Sequence, residues 1–168
     1  MRNYNVKKYC ILALLTALEI VLSRFLSVNA WNLKIGFNFV PIVIAAMIFG
    51  PLAGGLVAAL GDFIGALLFP IGAYFPGFTL TAFITGIIFG LFLHKKYSTL
   101  NVILSVLINQ LFFSLLLNSY WISVLYGSPY VPLLATRLIQ CAILIPVQIV
   151  VIILLSKSLP SIKKAASL

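Results

Sequence analysis

The sequence predicts an all-α integral membrane protein: six transmembrane helices in one compact bundle, with both termini cytoplasmic. Three observations lead there. Of the 168 residues, 63% are hydrophobic and only 8% charged, where soluble domains run at roughly 45–50% apolar and about 25% charged. A mean hydropathy of +1.21 leaves too little polar surface to coat a water-soluble globule. Apolar runs recur along the chain near the roughly 20 residues that cross a hydrocarbon core about 30 Å thick. The cations gather at alternate ends of those runs. A soluble enzyme, a disordered tail and a disulfide scaffold are excluded together, and residues 1–168 leave no room for a second domain.

Each span has its own signature. The first runs from Tyr9 to Val28. Basic residues precede it and no small-residue cleavage site follows before Arg24, so it reads as a retained helix rather than a removed signal. The second, Ile35 to Phe49, is short and stops at the turn pair Gly50-Pro51. The third, Leu52 to Phe69, is rich in small residues. Pro70-Ile71-Gly72-Ala73-Tyr74-Phe75-Pro76-Gly77 then forms a connector, too rich in Pro and Gly for a lipid-exposed helix. The fourth span, Phe78 to Leu93, ends in His94-Lys95-Lys96. The fifth covers Leu100 to Asn118, and Ser119 to Tyr130 reads as a polar-aromatic loop closed by Gly127-Ser128-Pro129. The sixth, Val131 to Leu155, holds Pro146, a kink position, and leads into a lysine-containing tail.

Charge sets the orientation. Arg2, Lys7, Lys8, Lys95, Lys96, Lys157, Lys163 and Lys164 all fall on one face of a six-span model, and the positive-inside rule makes that face cytoplasmic. Only Arg24, Lys34 and Arg137 fall at or near the external ends. The formal charge of +9 does not point to nucleic acid, which needs a solvated basic face. Cys10 and Cys141 sit at or inside apolar stretches without a partner motif and read as small core residues.

The external cations are the first candidates for function. A cation at a helix centre costs about 2.5–3.5 kcal/mol on insertion scales. Snorkelling lowers that cost, and for Lys34, between Leu33 and Ile35, an interface anchor and a ligand contact are both open. Arg24 ends one apolar helix and Arg137 lies several residues into another, where its guanidinium needs an acceptor. Glu19 lies more than one turn below Arg24 and Asp62 falls mid-span, so neither acid is an obvious partner. An anionic ligand supplies the missing charge, and the forked donors of Arg suit a carboxylate.

Aromatic residues collect on the same side. Trp31, Phe37 and Phe39 surround the first connection, Tyr74, Phe75 and Phe78 the second, and Tyr120, Trp121, Tyr126 and Tyr130 the third. An interfacial aromatic belt accounts for some of them. It does not require Pro70, Gly72, Pro76 and Gly77 to bracket a tyrosine, a pattern that suits a shaped cap over a ligand. Aromatic walls with convergent cations indicate a flat, anionic, water-soluble solute. Asn32, Asn38, Asn118 and Gln140 are candidate amide partners for ring heteroatoms, or for other helices. Ala13/Ala17, Gly54/Ala58, Gly61/Gly65 and Gly86/Gly90 repeat a four-residue spacing that places small residues on one helix face, which in a bundle means close packing.

Catalysis finds little support. Two scattered acids form no carboxylate pair, no His/Cys/Asp cluster has metal-ligand spacing, and no Ser or Cys has an adjacent base signature. The sequence lacks G-x-x-x-x-G-K-[ST], so a chain that moves a solute draws energy from other subunits. No cofactor or metal is implied. A membrane-embedded enzyme or a small structural membrane protein remains the competing class, with Asp62 and Glu19 its only acids.

Several stretches together resemble one family. They are Ala13-x-x-x-Ala17, Ser23-Arg24-Phe25, Leu33-Lys34-Ile35-Gly36-Phe37, Phe49-Gly50-Pro51, Gly61-Asp62, Leu68-Phe69-Pro70, Gly72 through Thr79, and Thr136-Arg137. The chain is similar over nearly its whole length to the substrate-binding S components of energy-coupling factor (ECF) vitamin transporters, in their folate-specific branch. That resemblance implies the S-component fold in the bacterial cytoplasmic membrane, surrounded by lipid. It also implies capture of folate or a reduced folate from outside, then docking on a transmembrane T component carried by two ECF ATPases. Ala13 and Ala17 would face the T component. Trp31 to Lys34 and Ile71 to Pro76 would form the lid, with Trp31, Asn32, Gly72 and Pro76 as gating positions. Arg24, Lys34, Tyr74, Phe75, Trp121, Arg137 and Gln140 would bind the vitamin. Relatives in the family take other vitamins or precursors, so another vitamin is the alternative ligand.

Overall fold

A computed structural model describes residues 2–29, 34–95 and 98–165. Among them the chain forms six helices: α1 (Arg2–Arg24), α2 (Phe39–Phe49), α3 (Pro51–Leu68), α4 (Pro76–Leu93), α5 (Thr99–Tyr126) and α6 (Tyr130–Ala165). The last four are long and apolar enough to cross a membrane; α1 has 23 residues and α2 has 11. Local chemistry sets the breaks. Gly50 adopts φ 95° between α2 and α3, and Pro51 and Pro76 open their helices, where a missing N–H is no loss. Gly127, with φ 64°, ends α5 in the left-handed conformation that Gly accepts at a helix C-terminus.

Several boundaries differ from the sequence expectation: the first helix begins at Arg2 rather than Tyr9, and the second begins at Phe39 because Ile35 belongs to a strand. The first span stops at Arg24, and the chain then enters an antiparallel ribbon, β1 (Ser27–Asn29) with β2 (Lys34–Gly36), pairing Val28 with Ile35. The expected loop from Ser119 to Tyr130 is mostly helix: α5 continues to Tyr126, leaving 127–129 as the connection. Helical spacing explains it, because Ser119 and Ile122 turn into the bundle while Tyr120 and Val124 face outward. The sixth helix continues past Leu155 to Ala165.

Glycines let the helices close up. A Cβ on Gly86 would collide with the Gly54 backbone and one on Gly90 with Pro51, so α3 and α4 meet backbone to backbone. The apolar core, including Val43, Ala46, Val57, Phe89, Val106 and Ile152, fills the half of the bundle at the α2–α3 turn. The Lys8 ammonium lies 5.8 Å from the Phe49 ring there, and His94 Nδ1 lies 3.1 Å from the Met47 carbonyl oxygen. At the opposite end Phe25 meets Phe69 edge-on at 5.1 Å. Leu14, Leu56, Leu67, Leu91 and Ile139 are exposed on the outside, an apolar surface that suits lipid rather than water.

Candidate functional site

The half of the bundle capped by the ribbon and the 69–75 segment is hollow. A cavity of about 410 Å³ lies there, within the range of small-molecule sites. Helix geometry orders its lining by depth. Arg24, Asp62, Ile71 to Phe75 and Tyr126 stand at the mouth; Thr81, Ser114, Asn118 and Arg137 lie below; Thr85, Asn109, Gln110 and Gln140 come next, since Asn109 bonds to Thr85 and Gln110 to Cys141, and Phe89 and Gln148 follow further along their helices. Gln148 is about 27 Å along α6 from Tyr130, at 1.5 Å per residue.

The mouth is built around an acid. Asp62 Oδ1 lies 3.8 Å from Arg24 Nη2, which also donates to the Asp62 carbonyl oxygen at 3.3 Å. The expectation that neither acid partners the external cations is therefore corrected for Arg24. Asp62 sits higher in α3 than a mid-span position, and the long Arg24 side chain lies across Gly65 to reach it: a Cβ there would be 2.8 Å from Arg24 Nε. Glu19 packs its carboxylate over Gly61 in the same manner. The Gly61/Gly65 pair thus makes room for two charged side chains of α1, beyond the helix packing its spacing suggests. On the other side of Asp62, Thr79 Oγ1 donates to Oδ2 at 2.8 Å, and the Tyr74 hydroxyl lies 3.3 Å from Thr79 Oγ1.

The second cation sits deeper. Arg137 is 6% exposed and its Nη2 donates to the Ser114 carbonyl at 3.0 Å. Ser114 belongs to a π-helical stretch of α5, Ile108–Leu117, a form that recurs at functional sites. Two other α6 side chains donate to the same stretch: Tyr130 to Leu116 O at 3.2 Å and Cys141 to Gln110 O at 3.5 Å. Asn109 Nδ2 donates to Thr85 O at 3.4 Å, linking α5 to α4. The floor is neutral and rich in amides. Asn109 Oδ1, Gln110 Oε1 and Gln148 Oε1 have no hydrogen-bond partner within the protein, although each residue is buried. Arg24, Asp62 and Arg137 are the charged side chains among the described residues that line the cavity, two cations against one acid.

Tyr74, Phe75, Gly72, Arg24, Arg137 and Gln140 are thus brought together around one cavity. Trp121 stands behind the wall: it packs against Phe75 at 5.3 Å between ring centroids and donates from Nε1 to Thr81 Oγ1 at 3.1 Å. Pro76 is the first residue of α4. Gly72 lets the Tyr126 hydroxyl approach the backbone. Lys34 pairs with Asn29 in the ribbon, while Trp31 and Asn32 lie outside the described residues. Ala13 and Ala17 are exposed on the outer face of α1. Sequence reasoning missed Asn109, Gln110 and Gln148 as cavity residues. A signal existed for the last, since Arg137, Gln140, Leu144 and Gln148 fall at the three- and four-residue spacing of one helix face.

A membrane-spanning bundle with a solid apolar half and a polar, net-cationic hollow in the other half is a solute-holding membrane protein. The chain belongs to the S-component family of ECF-type transporters, as its motifs suggest: the family model for the ECF-type riboflavin transporter S component matches residues 3–161. It is a multi-pass protein of the cell membrane. A folate transporter, FolT, of Clostridium novyi (strain NT) is 42% identical over 153 residues, covering 90% of this chain and 88% of that protein. FolT of Leuconostoc mesenteroides subsp. mesenteroides is 36% identical over 152 residues, covering 86% and 82%. A crystal structure of FolT bound with folic acid superposes with a TM-score of 0.86 at 37% identity, covering 90% of this chain and 93% of that one.

Proposed function

We propose that this chain is the folate-binding S component of an ECF importer. It takes folate or a reduced folate from outside the cell, then docks through the exposed Ala13/Ala17 face of α1 on a T component carried by two ATPases. The chain itself is a binding subunit and not an enzyme; the ATPases supply the energy. The observation that carries the ligand is the depth order of the cavity. Cationic groups stand at the mouth and middle, where the Asn118 amide joins them, and below Arg137 the lining is neutral, with the amide oxygens of Asn109, Gln110 and Gln148 lacking protein donors. Folate is built in the same order, with an amino-substituted heterocycle at one end and a glutamate at the other. The heterocycle's N–H groups face the floor, where unanswered buried acceptors are costly. The carboxylates face Arg137 and Arg24, with Tyr74 and Phe75 along the wall.

Riboflavin, named by the matching family model, is the second reading. Its uncharged ring and ribityl chain suit the amide floor but bring no negative charge to a lining with two cations and one acid. Calorimetry on the purified full chain separates the two. Folic acid is expected to bind, and riboflavin neither to bind nor to compete. Well-folded protein that ignores folic acid ends the folate reading, and tight riboflavin binding reassigns the ligand.

A further inference from the structure

The mouth of the cavity contains more order than a binding site requires. The segment from Phe69 to Tyr74 is exposed residue after residue, so burial contributes little to holding it, yet Ile71 to Phe75 all line the cavity. Its ring contacts are edge-on, Phe69 to Phe25 at 5.1 Å and Tyr74 to Phe63 at 5.8 Å. Beside the packing of Phe75 on Trp121 at 5.3 Å, directional bonding ties its far end to the helices through Tyr74. Thr79 has one hydroxyl proton and gives it to Asp62 Oδ2 at 2.8 Å. Its oxygen can then only accept from Tyr74, 3.3 Å away. The relay therefore has one direction, Tyr74 to Thr79 to Asp62, and ends on a carboxylate that lies 3.8 Å from Arg24 Nη2.

From this geometry we propose that Asp62 is the positioning residue of a latch: it holds the 69–75 segment over the cavity, and so sets how slowly the bound solute leaves. The inference rests on the folate reading for its ligand but not for its geometry. Asp62 need not touch the solute. Its shorter contact is to Thr79, on the helix that follows the segment, and the 3.8 Å approach to Arg24 is the looser of the two. A solute beneath Ile71 to Phe75 leaves only when that segment lifts, so the latch acts on dissociation, as closing lids do. Association, which begins from the open mouth, is little affected.

The test measures folic acid association and dissociation separately, by stopped flow and chase, on the full chain in nanodiscs. Asp62→Asn, Thr79→Val and Tyr74→Phe are each expected to raise the dissociation rate about fivefold, the size of one lost net hydrogen bond. Association should stay within about twofold. Thr79→Ser restores slow dissociation because it restores the hydroxyl. The double variant Asp62→Asn/Thr79→Val dissociates no faster than either single one, since both break the same relay. Wild-type dissociation rates in both Asp62→Asn and Thr79→Val overturn the latch. So does a Thr79→Ser variant as fast as Thr79→Val, or a lowered unfolding temperature with both rates changed, which marks a merely structural role. A wild-type chain that binds riboflavin instead of folic acid overturns the folate reading, and the same rates are then measured with riboflavin.

Discussion

Neutralising Arg137 tests the ligand most directly. Its guanidinium is buried beside the cavity and held by the Ser114 carbonyl at 3.0 Å, whereas Arg24 already shares its charge with Asp62. A charge-assisted hydrogen bond contributes about 1.5–3 kcal/mol, and each 1.4 kcal/mol is roughly tenfold in Kd. Arg137→Ala should therefore weaken folic acid binding by about 10–100-fold. Alanine also strips the donor from Ser114, so Arg137→Gln, which keeps an N–H while removing the charge, is the cleaner perturbation. Calorimetry with folic acid and with its bis-amide, which keeps the glutamate skeleton but none of its charge, completes a cycle. The wild-type chain should prefer the acid by at least about tenfold, and Arg137→Gln should bind the two nearly alike. An Arg137→Gln protein with unchanged unfolding temperature and undiminished preference for the acid would refute the electrostatic argument.

Two further outcomes probe other parts of the molecule. Ala13→Trp or Ala17→Trp, on the exposed face of α1, should stop folate uptake in cells while leaving calorimetric binding by the isolated subunit intact; loss of both together would indicate a folding defect instead. Gly86→Ala places a methyl against the Gly54 backbone, which cannot swing aside, and should lower stability by about 1–3 kcal/mol. It should also lower the unfolding temperature far from the ligand's polar contacts, and an unchanged melting curve would show that α3 and α4 part more easily than their spacing implies.

Much of the fold was legible because lipid leaves a chain few options: apolar runs, turn pairs such as Gly50-Pro51 and sorted cations carry the message in one dimension. What was illegible depends on the third dimension. Ser119 to Tyr130 reads as an interfacial loop because it is rich in polar and aromatic residues and closes on Gly127-Ser128-Pro129; only helical register reveals that Ser119 and Ile122 are the buried pair. The Arg24–Asp62 contact joins residues 38 apart and depends on a glycine, Gly65, at the point where the side chain crosses. The π-helical stretch has no composition signal. Among the site residues, Arg137, Tyr74 and Phe75 stood out because charge and aromaticity are conspicuous in a hydrophobic chain. Gln148 did not, since a single amide in an apolar helix draws notice only when its spacing from Arg137 and Gln140 is counted.

The π-helical stretch and the buried arginine explain each other. A cation inside a span costs about 2.5–3.5 kcal/mol on insertion scales, and Arg137 lies roughly 10 Å along α6 from Tyr130, with little exposure to solvent. The π form is rare and usually confined to a single turn, whereas here it covers Ile108–Leu117. Along the α5–α6 seam Tyr130, Arg137 and Cys141 all donate to its carbonyls, so the helix gains donors and the guanidinium gains an acceptor. That arrangement fixes where the cation points without neutralising it, because a carbonyl oxygen carries only a partial charge. The lining keeps two cations against one acid, and a ligand with carboxylates corrects the imbalance where an uncharged vitamin of similar shape does not. On the folate reading, Arg137 would discriminate as well as bind: its burial would penalise a guest that brings no negative charge, which is specificity through the rejected ligand as well as the accepted one.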